Sequence, residues 1–259
     1  MGVSLALSRQ LLLIAALALL AAPCRADAVL RGVVWPTRAE AHRAEQARAE
    51  IAAEKNSKRR NENYLASSKP GHPAPTGHAL TPMPVLHAEP GMREVVVYLD
   101  SIPAKQEKKL AERERKSRDR ANYRIVLMNS RYTPRVTAVA AGSNVEVQNL
   151  DSIWHNTFSV SRAKSFDLGK IRPGTMDTVA FDRPGVINLH CDIHPKEIGF
   201  VMVTPNHAFA RPDSLGQFDL PRLPAGRYRL RLWHPSMGEE SREIELPKKG
   251  VLDVDLAFP

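Results

Sequence analysis

The sequence predicts an all-β protein built from two small β-sandwiches, with charged helices confined to its N-terminal half. Three observations carry this expectation. From Tyr123 onward, short runs rich in branched and aromatic residues alternate with Gly-, Pro- and Asn-containing turns. The 259-residue chain is 43% hydrophobic, enough for one large core or two small ones. Two stretches, 37–91 and 104–120, are too polar to contribute much to either core.

Taken in order, residues 1–26 read as a secretory leader. Arg9 supplies a small positive region, Leu11 to Ala22 is almost wholly apolar, and Cys24-Arg25-Ala26 surrounds a cleavage point. The apolar run is short for a membrane span, which needs about 20 residues. A lipid-anchored form is disfavoured because Pro23 precedes Cys24. The expectation is an exported, periplasmic protein with no integral membrane span after cleavage. Loss of Arg9 and Arg25 lowers the formal charge from +9 to +7, which suits an acidic partner. Nucleic acid is excluded as a partner: the chain is exported, and its basic runs lack interleaved aromatics.

Val29 to Trp35 has the bias of a strand, and Pro36 stops it. Thr37 and Glu40 then form a capping box for a run of Ala, Glu, Arg and Lys reaching about Arg60. Beyond its alanines and Ile51 this run has no apolar stripe, so it is a solvated helix or partly disordered. Residues 66–91, punctuated by six prolines, read as a linker. Its His72, His78 and His87 lack the rigid spacing of a metal site. Arg93 to Leu99 is a clear strand. The run 104–120 carries eight basic and four acidic residues, with Glu112–Lys116 and Glu114–Arg118 spaced to support a helix. It reads as a solvated helix or as a docking surface for an acidic partner.

Strands are expected near 123–128, 135–140, 144–149, 153–160, 176–182, 186–191 and 198–204, separated by turns at Ala141–Asn144, Arg172–Gly174 and Arg183–Gly185. The tail adds Ser214–Leu220, a tight turn at Leu223–Gly226, the alternating strand Arg227–Trp233, then 242–246 and 251–258.

The chemistry concentrates where the apolar run Val186–Leu189 enters a tight loop. Cys191 and His194 lie there three residues apart, and His155 lies on an earlier loop. With Cys24 removed by cleavage, Cys191 is the lone cysteine of an exported chain. Such proteins usually pair their thiols, so this one is either a buried, inert cysteine or held by a metal, and His194 three residues away favours the metal. A thiolate and two imidazoles are the equatorial donors of a blue-copper centre.

In combination, Gly142…Asn149-x-Asp151…His155-Asn156, Phe181-x-x-Pro184-Gly185 and Cys191-x-x-His194-Pro195 resemble the cupredoxins. The likeness is to plastocyanin-like and amicyanin-like bacterial proteins of methylamine-utilisation type. It covers about 123–205 and implies a Greek-key sandwich holding one mononuclear copper ion. His155, Cys191 and His194 would be its ligands, with Asn156 tying the ligand loops near the sulfur. The pattern departs from this family at the axial position, where Glu197 stands in place of methionine. If Glu197 binds, its carboxylate favours copper(II) and tolerates zinc; if it points to solvent, one position stays open. Met202 reads as core. His190 points to the opposite face from Cys191, Trp154 either shields the site or packs, and His207 carries no reading.

The tail pattern Gly216-x-Phe218-x-Leu220-x-x-Leu223-Pro224-Ala225-Gly226-x-Tyr228-x-Leu230 resembles the carboxypeptidase-regulatory, transthyretin-like sandwich, in which Trp233-His234-Pro235 is structural. That resemblance implies a discontinuous second unit made of 29–35, 93–103 and 208–259, with the first sandwich inserted between its strands.

The expected role is a copper-binding protein that carries single electrons to or from an acidic redox partner. Copper binding and delivery without a redox partner, or a metal-free interaction module, are the alternatives. An enzyme is not expected, since no second ligand cluster is visible.

Overall fold

The computed structural model describes residues 27–39, 46, 92–117 and 123–259. The leader, most of the 37–91 segment and the end of 104–120 lie outside the described residues. The fold is all-β, with sixteen strands and one long helix among the described residues.

The strands begin with β1 (Val29–Trp35) and β2 (Val96–Leu99), followed by helix α1 (Ala104–Lys116). Then come β3 (Arg124–Leu127), β4 (Tyr132–Thr133), β5 (Val136–Ala140), β6 (Ser143–Asn149), β7 (His155–Val160), β8 (Ser165–Ile171), β9 (Met176–Phe181), β10 (Gly185–His190) and β11 (Ile198–Thr204). The tail forms β12 (Phe209–Ala210), β13 (Gln217–Asp219), β14 (Gly226–His234), β15 (Gly238–Leu246) and β16 (Val251–Ala257).

These strands build four sheets. A five-stranded sheet, β5-β11-β10-β7-β8, faces a four-stranded one, β4-β3-β6-β9. Ile125, Leu127, Val145, Val147, Ile187, Leu189 and Val201 fill the space between them. A second pair of sheets, β13-β1-β16 and β12-β2-β14-β15, encloses Leu30, Val34, Val97, Leu99, Leu230, Leu256 and Phe258. β1 runs antiparallel to β13 and parallel to β16, while β2 lies between β12 and β14.

A third apolar cluster joins the two sandwiches. Val136, Ala138 and Met202 from the back of the five-stranded sheet meet Val96, Tyr98 and Trp233 from the back of the β2–β14 sheet. This explains the unbroken apolar run of β2. Val97 and Leu99 face one core and Val96 and Tyr98 the other, so no face needs polar residues. Met202 is therefore a core residue at this seam.

Three strands escaped the sequence reading: β8 and the two-residue β4 and β12. β8 alternates Phe166 and Leu168 but is broken by Gly169 at φ +66°, and it sits at a sheet edge with little burial. β4 is only two residues long. The expected strand Ser214–Leu220 shrinks to β13, and 242–246 extends backward into the nine-residue β15.

α1 starts after Pro103, whose carbonyl accepts the amides of Gln106 and Glu107. It is solvated on most sides but buries Leu110 and Gln106, and the Gln106 amide donates to the Arg222 carbonyl. The helix lies beside the β5–β6 turn. The candidate ligands His155, Cys191, His194 and Glu197 lie at the other end of β6, a strand of seven residues spanning about 20 Å.

Candidate metal centre

The site sits where β6, β7, β10 and β11 meet at one end of the first sandwich. His190 pairs with Ile198, so residues 191–197 close a short loop between β10 and β11. Within it the Glu197 amide donates to the His194 carbonyl at 2.9 Å. Pro195 occupies the second position of that turn, where its fixed φ suits the geometry. The turn aims His194 and Glu197 at one point.

The β6–β7 loop is shaped by Asn149, which is fully buried. Its amide donates to the carbonyls of Ile153 and Ile171, and its oxygen accepts the Asp151 amide. Asp151 in turn accepts the amides of Asn129 and Ser130, both at positive φ in the β3–β4 hairpin. Its Oδ2 lies 3.0 Å from His155 Nε2. Desolvation opposes ionisation of this carboxyl, but the two backbone donors and His155 outweigh it and hold its pKa below the ordinary value.

Four donors converge here. His155 Nδ1 lies 3.1 Å from His194 Nδ1 and 2.9 Å from Glu197 Oε1. His194 Nδ1 lies 3.1 Å from the same oxygen and 3.6 Å from Cys191 Sγ. One donor atom from each of the four residues falls within 4.8 Å of all the others. His155, Cys191 and Glu197 are buried, while the His194 side chain remains 27% exposed. Burial pushes the Cys191 thiol above its ordinary pKa. The Asn156 amide, 3.5 Å from the sulfur, pulls the other way, and Glu197 adds to the push. A bound cation would displace that proton and reverse the balance.

The donor set fits a transition-metal ion. His155 lies between two carboxylates, its Nε2 3.0 Å from Asp151 Oδ2 and its Nδ1 3.0 Å from Glu197 Oε2; with the proton on Nε2, the Nδ1 lone pair faces the cluster. Glu197 Oε1 is buried and takes no well-directed hydrogen bond despite the imidazole nitrogens nearby. A cation between these donors would satisfy all four at once. A tetrahedron with arms of about 2.1 Å has edges of about 3.4 Å, close to the separations here. One sulfur, two nitrogens and one oxygen suit copper or zinc.

The structure thus brings together His155, Cys191, His194 and Glu197, and it turns the Glu197 carboxylate inward rather than toward solvent. His190 stays outside the cluster, with its ring 5.7 Å from that of Phe158. Trp154 is 49% exposed and does not shield the donors. Asn156 reaches the sulfur through its backbone amide, while its side-chain oxygen is buried without a hydrogen-bond partner. His207 binds Glu107 and Glu114 of α1. His234 accepts hydrogen bonds from Ser236 and Met237.

Sequence reasoning gave Asp151 no role of its own; its position four residues before His155 was the available signal. It also missed Tyr132, whose hydroxyl donates to the His190 carbonyl at 3.0 Å beneath the ligand loop. No local pattern marks that long-range contact.

No protein-family model and no curated protein matches the chain. Among solved structures, it is similar to a copper-containing nitrite reductase from Thermus scotoductus SA-01, at 23% identity and a TM-score of 0.30. That match covers 31% of this chain and 21% of the reductase, so the chain spans about a fifth of that protein's length. A purple cupredoxin from Nitrosopumilus maritimus matches at 25% identity and a TM-score of 0.29, over 31% of this chain and 98% of that one. An oxidised amicyanin variant matches at 20% identity and a TM-score of 0.30, over 31% of this chain and 79% of that one.

Proposed function

We propose that this is an exported, periplasmic copper-binding protein of cupredoxin type that carries single electrons at one mononuclear site. The convergence of Cys191, His155, His194 and Glu197 within 4.8 Å carries the reading. Copper bound there would supply a one-electron couple.

The chain's own residues supply the rest. Cys191 serves as a thiolate, and the two imidazoles present Nδ1. Asp151 holds the proton at His155 Nε2 and the hairpin beneath it. Two separate loops anchored on one sheet keep the donors in place, so little rearrangement accompanies a change of charge. Burial of three donors excludes water, and the partly exposed His194 edge is the route to the surface.

A docking surface surrounds that edge. Met128, Leu150, Ile153, Trp154, Met176 and Ile193 are exposed on the loops and strand ends at the metal end. Exposed Arg131 and Lys196 lie among them beside the exposed acid Asp192, a rim of slight positive excess that suits a redox partner with an acidic margin. The basic helix α1 sits about 20 Å away, at the far end of β6, and is poorly placed for direct exchange.

The second sandwich is proposed as the discontinuous carboxypeptidase-regulatory, transthyretin-like unit. Pairing of β1 and β2 with β12–β16 supports that assignment. Copper delivery without a redox partner is the second reading, favoured by the buried carboxylate of Glu197.

The test is optical. The copper(II)-loaded full chain should show an intense visible thiolate-to-copper absorption that bleaches with ascorbate and returns on oxidation. Cys191→Ala should abolish it. A wild-type protein that takes up no copper and shows no such band overturns the assignment. Copper that binds but never exchanges electrons with a small soluble redox protein favours delivery.

A further inference from the structure

Resting on the copper reading, a second conclusion concerns the charge of the ion. Glu197 is the one acid among the described residues that is buried, with its side chain 1% exposed. Its ion-pair partners among those residues are His155 and His194 alone, at 2.9 and 3.1 Å. No lysine or arginine neutralises it there. An ionised carboxylate buried without a compensating cation is heavily penalised. Its Oε1 atom points into the donor cluster without a directed hydrogen bond.

Charge balance then discriminates between ions. The thiolate and the carboxylate contribute two negative charges, and the neutral imidazoles contribute none. A divalent ion brings the cluster to zero. A monovalent ion leaves one uncompensated negative charge among donors of which three are buried, beside the further carboxylate of Asp151 at His155 Nε2. Carboxylate oxygen is also a hard donor, poorly matched to copper(I).

We infer that Cys191, His155, His194 and Glu197 form a four-donor centre selective for a divalent ion, copper(II) with zinc(II) as competitor, over copper(I). With Glu197 turned inward as a fourth, anionic donor, the reduced state is disfavoured and the couple lies low. Zinc is accepted because neither oxidation nor a change of coordination is needed to hold it.

The test uses the full chain, stripped with a chelator and reloaded with zinc(II) or copper(II). X-ray absorption of both wild-type forms should show one sulfur and three nitrogen or oxygen neighbours. Glu197→Gln, nearly isosteric, should raise the copper potential by at least about 59 mV, a tenfold shift for one electron. It should also lower zinc affinity, measured against a chromophoric chelator, by about tenfold or more. Asp192→Asn, an exposed acid on the same loop, should move neither by more than about twofold. A three-donor wild-type centre, or equal shifts in the two variants, overturns the inference. A normal thiolate band with unmoved potential and zinc affinity in Glu197→Gln defeats it while the copper reading stands. Absence of that band in the wild type defeats the copper reading instead. Should Glu197→Gln fail to fold, the wild-type absorption data decide.

Discussion

Asp151 does three things with one carboxylate: it caps two backbone amides of the β3–β4 hairpin and orients His155. Asp151→Ala should therefore cost about 10- to 100-fold in metal affinity, read by chelator competition. It should also cost about 0.5–1.5 kcal/mol in stability, because two solvent-accessible amides lose a charged acceptor. Asp151→Asn, which keeps an acceptor, should recover part of both. Gly199 is as exacting for a different reason. A Cβ there would stand 2.8 Å from the Tyr132 ring, which supports the ligand loop through the His190 carbonyl. Gly199→Ala should cost about 1–3 kcal/mol in thermal unfolding of the metal-free protein. The cysteine and histidines were legible in the sequence because their residue types and loop positions announce metal chemistry. The inward turn of Glu197 was not, since a loop carboxylate is usually solvated and its direction depends on the turn closed by His194 and Glu197.

α1 shows the same division between what composition reveals and what packing adds. Its charged run announced a helix, but thirteen residues make a marginal helix alone. Leu110, one apolar residue among charges, gave little notice of docking. The rest of the attachment comes from His207. Its Nδ1 lies 2.6 Å from Glu107 Oε1 and its Nε2 3.1 Å from Glu114 Oε2. The hydrogen bond to Glu114 and then that to Glu107 raise the His207 pKa above its ordinary value near 6.5, against the effect of burial. The protonated ring is favoured in the folded state, so its contribution is full below about pH 6.5 and is lost as pH rises through the folded value. Burial works against ionisation of Glu114, yet His207 and Tyr123 hold its pKa low, so its share is lost instead in acid. The protection factors of the α1 amides, with intrinsic base-catalysed exchange divided out, should fall from neutral to alkaline pH. His207→Ala should remove that dependence and about 1 kcal/mol of docking, a modest figure because the carboxylates are partly exposed. β8 went unseen for a related reason: an edge strand needs little burial, so its pattern stays weak.

At the scale of the whole molecule, the two sandwiches are stacked into four layers by the Trp233 seam. The Trp233 and Phe200 rings meet edge to face at 5.9 Å, and Arg135 lies over Phe200 while pairing with Glu94. Trp233→Ala should cost about 3–5 kcal/mol and separate the calorimetric unfolding of the two sandwiches. The run Val95–Leu99 is legible in the sequence as a strand, but that both of its faces are covered, and by what, is not. That partner is a surface formed by residues far along the chain.

The closure of the outer sandwich also sets an order of events during biosynthesis. Trp35 on β1 donates to Asp255 on β16 across 220 positions, and every ladder of β1 joins it to β13 or β16. The sheets of residues 124–204 pair only among themselves. As the chain emerges, the sandwich of residues 124–204 can close on its own, whereas the segment from Val29 to Trp35 must wait, adhesive and unmatched, for its later mates. Any dependence of this protein on a holding chaperone should therefore fall on its earliest strand, long after the thiol has been sheltered.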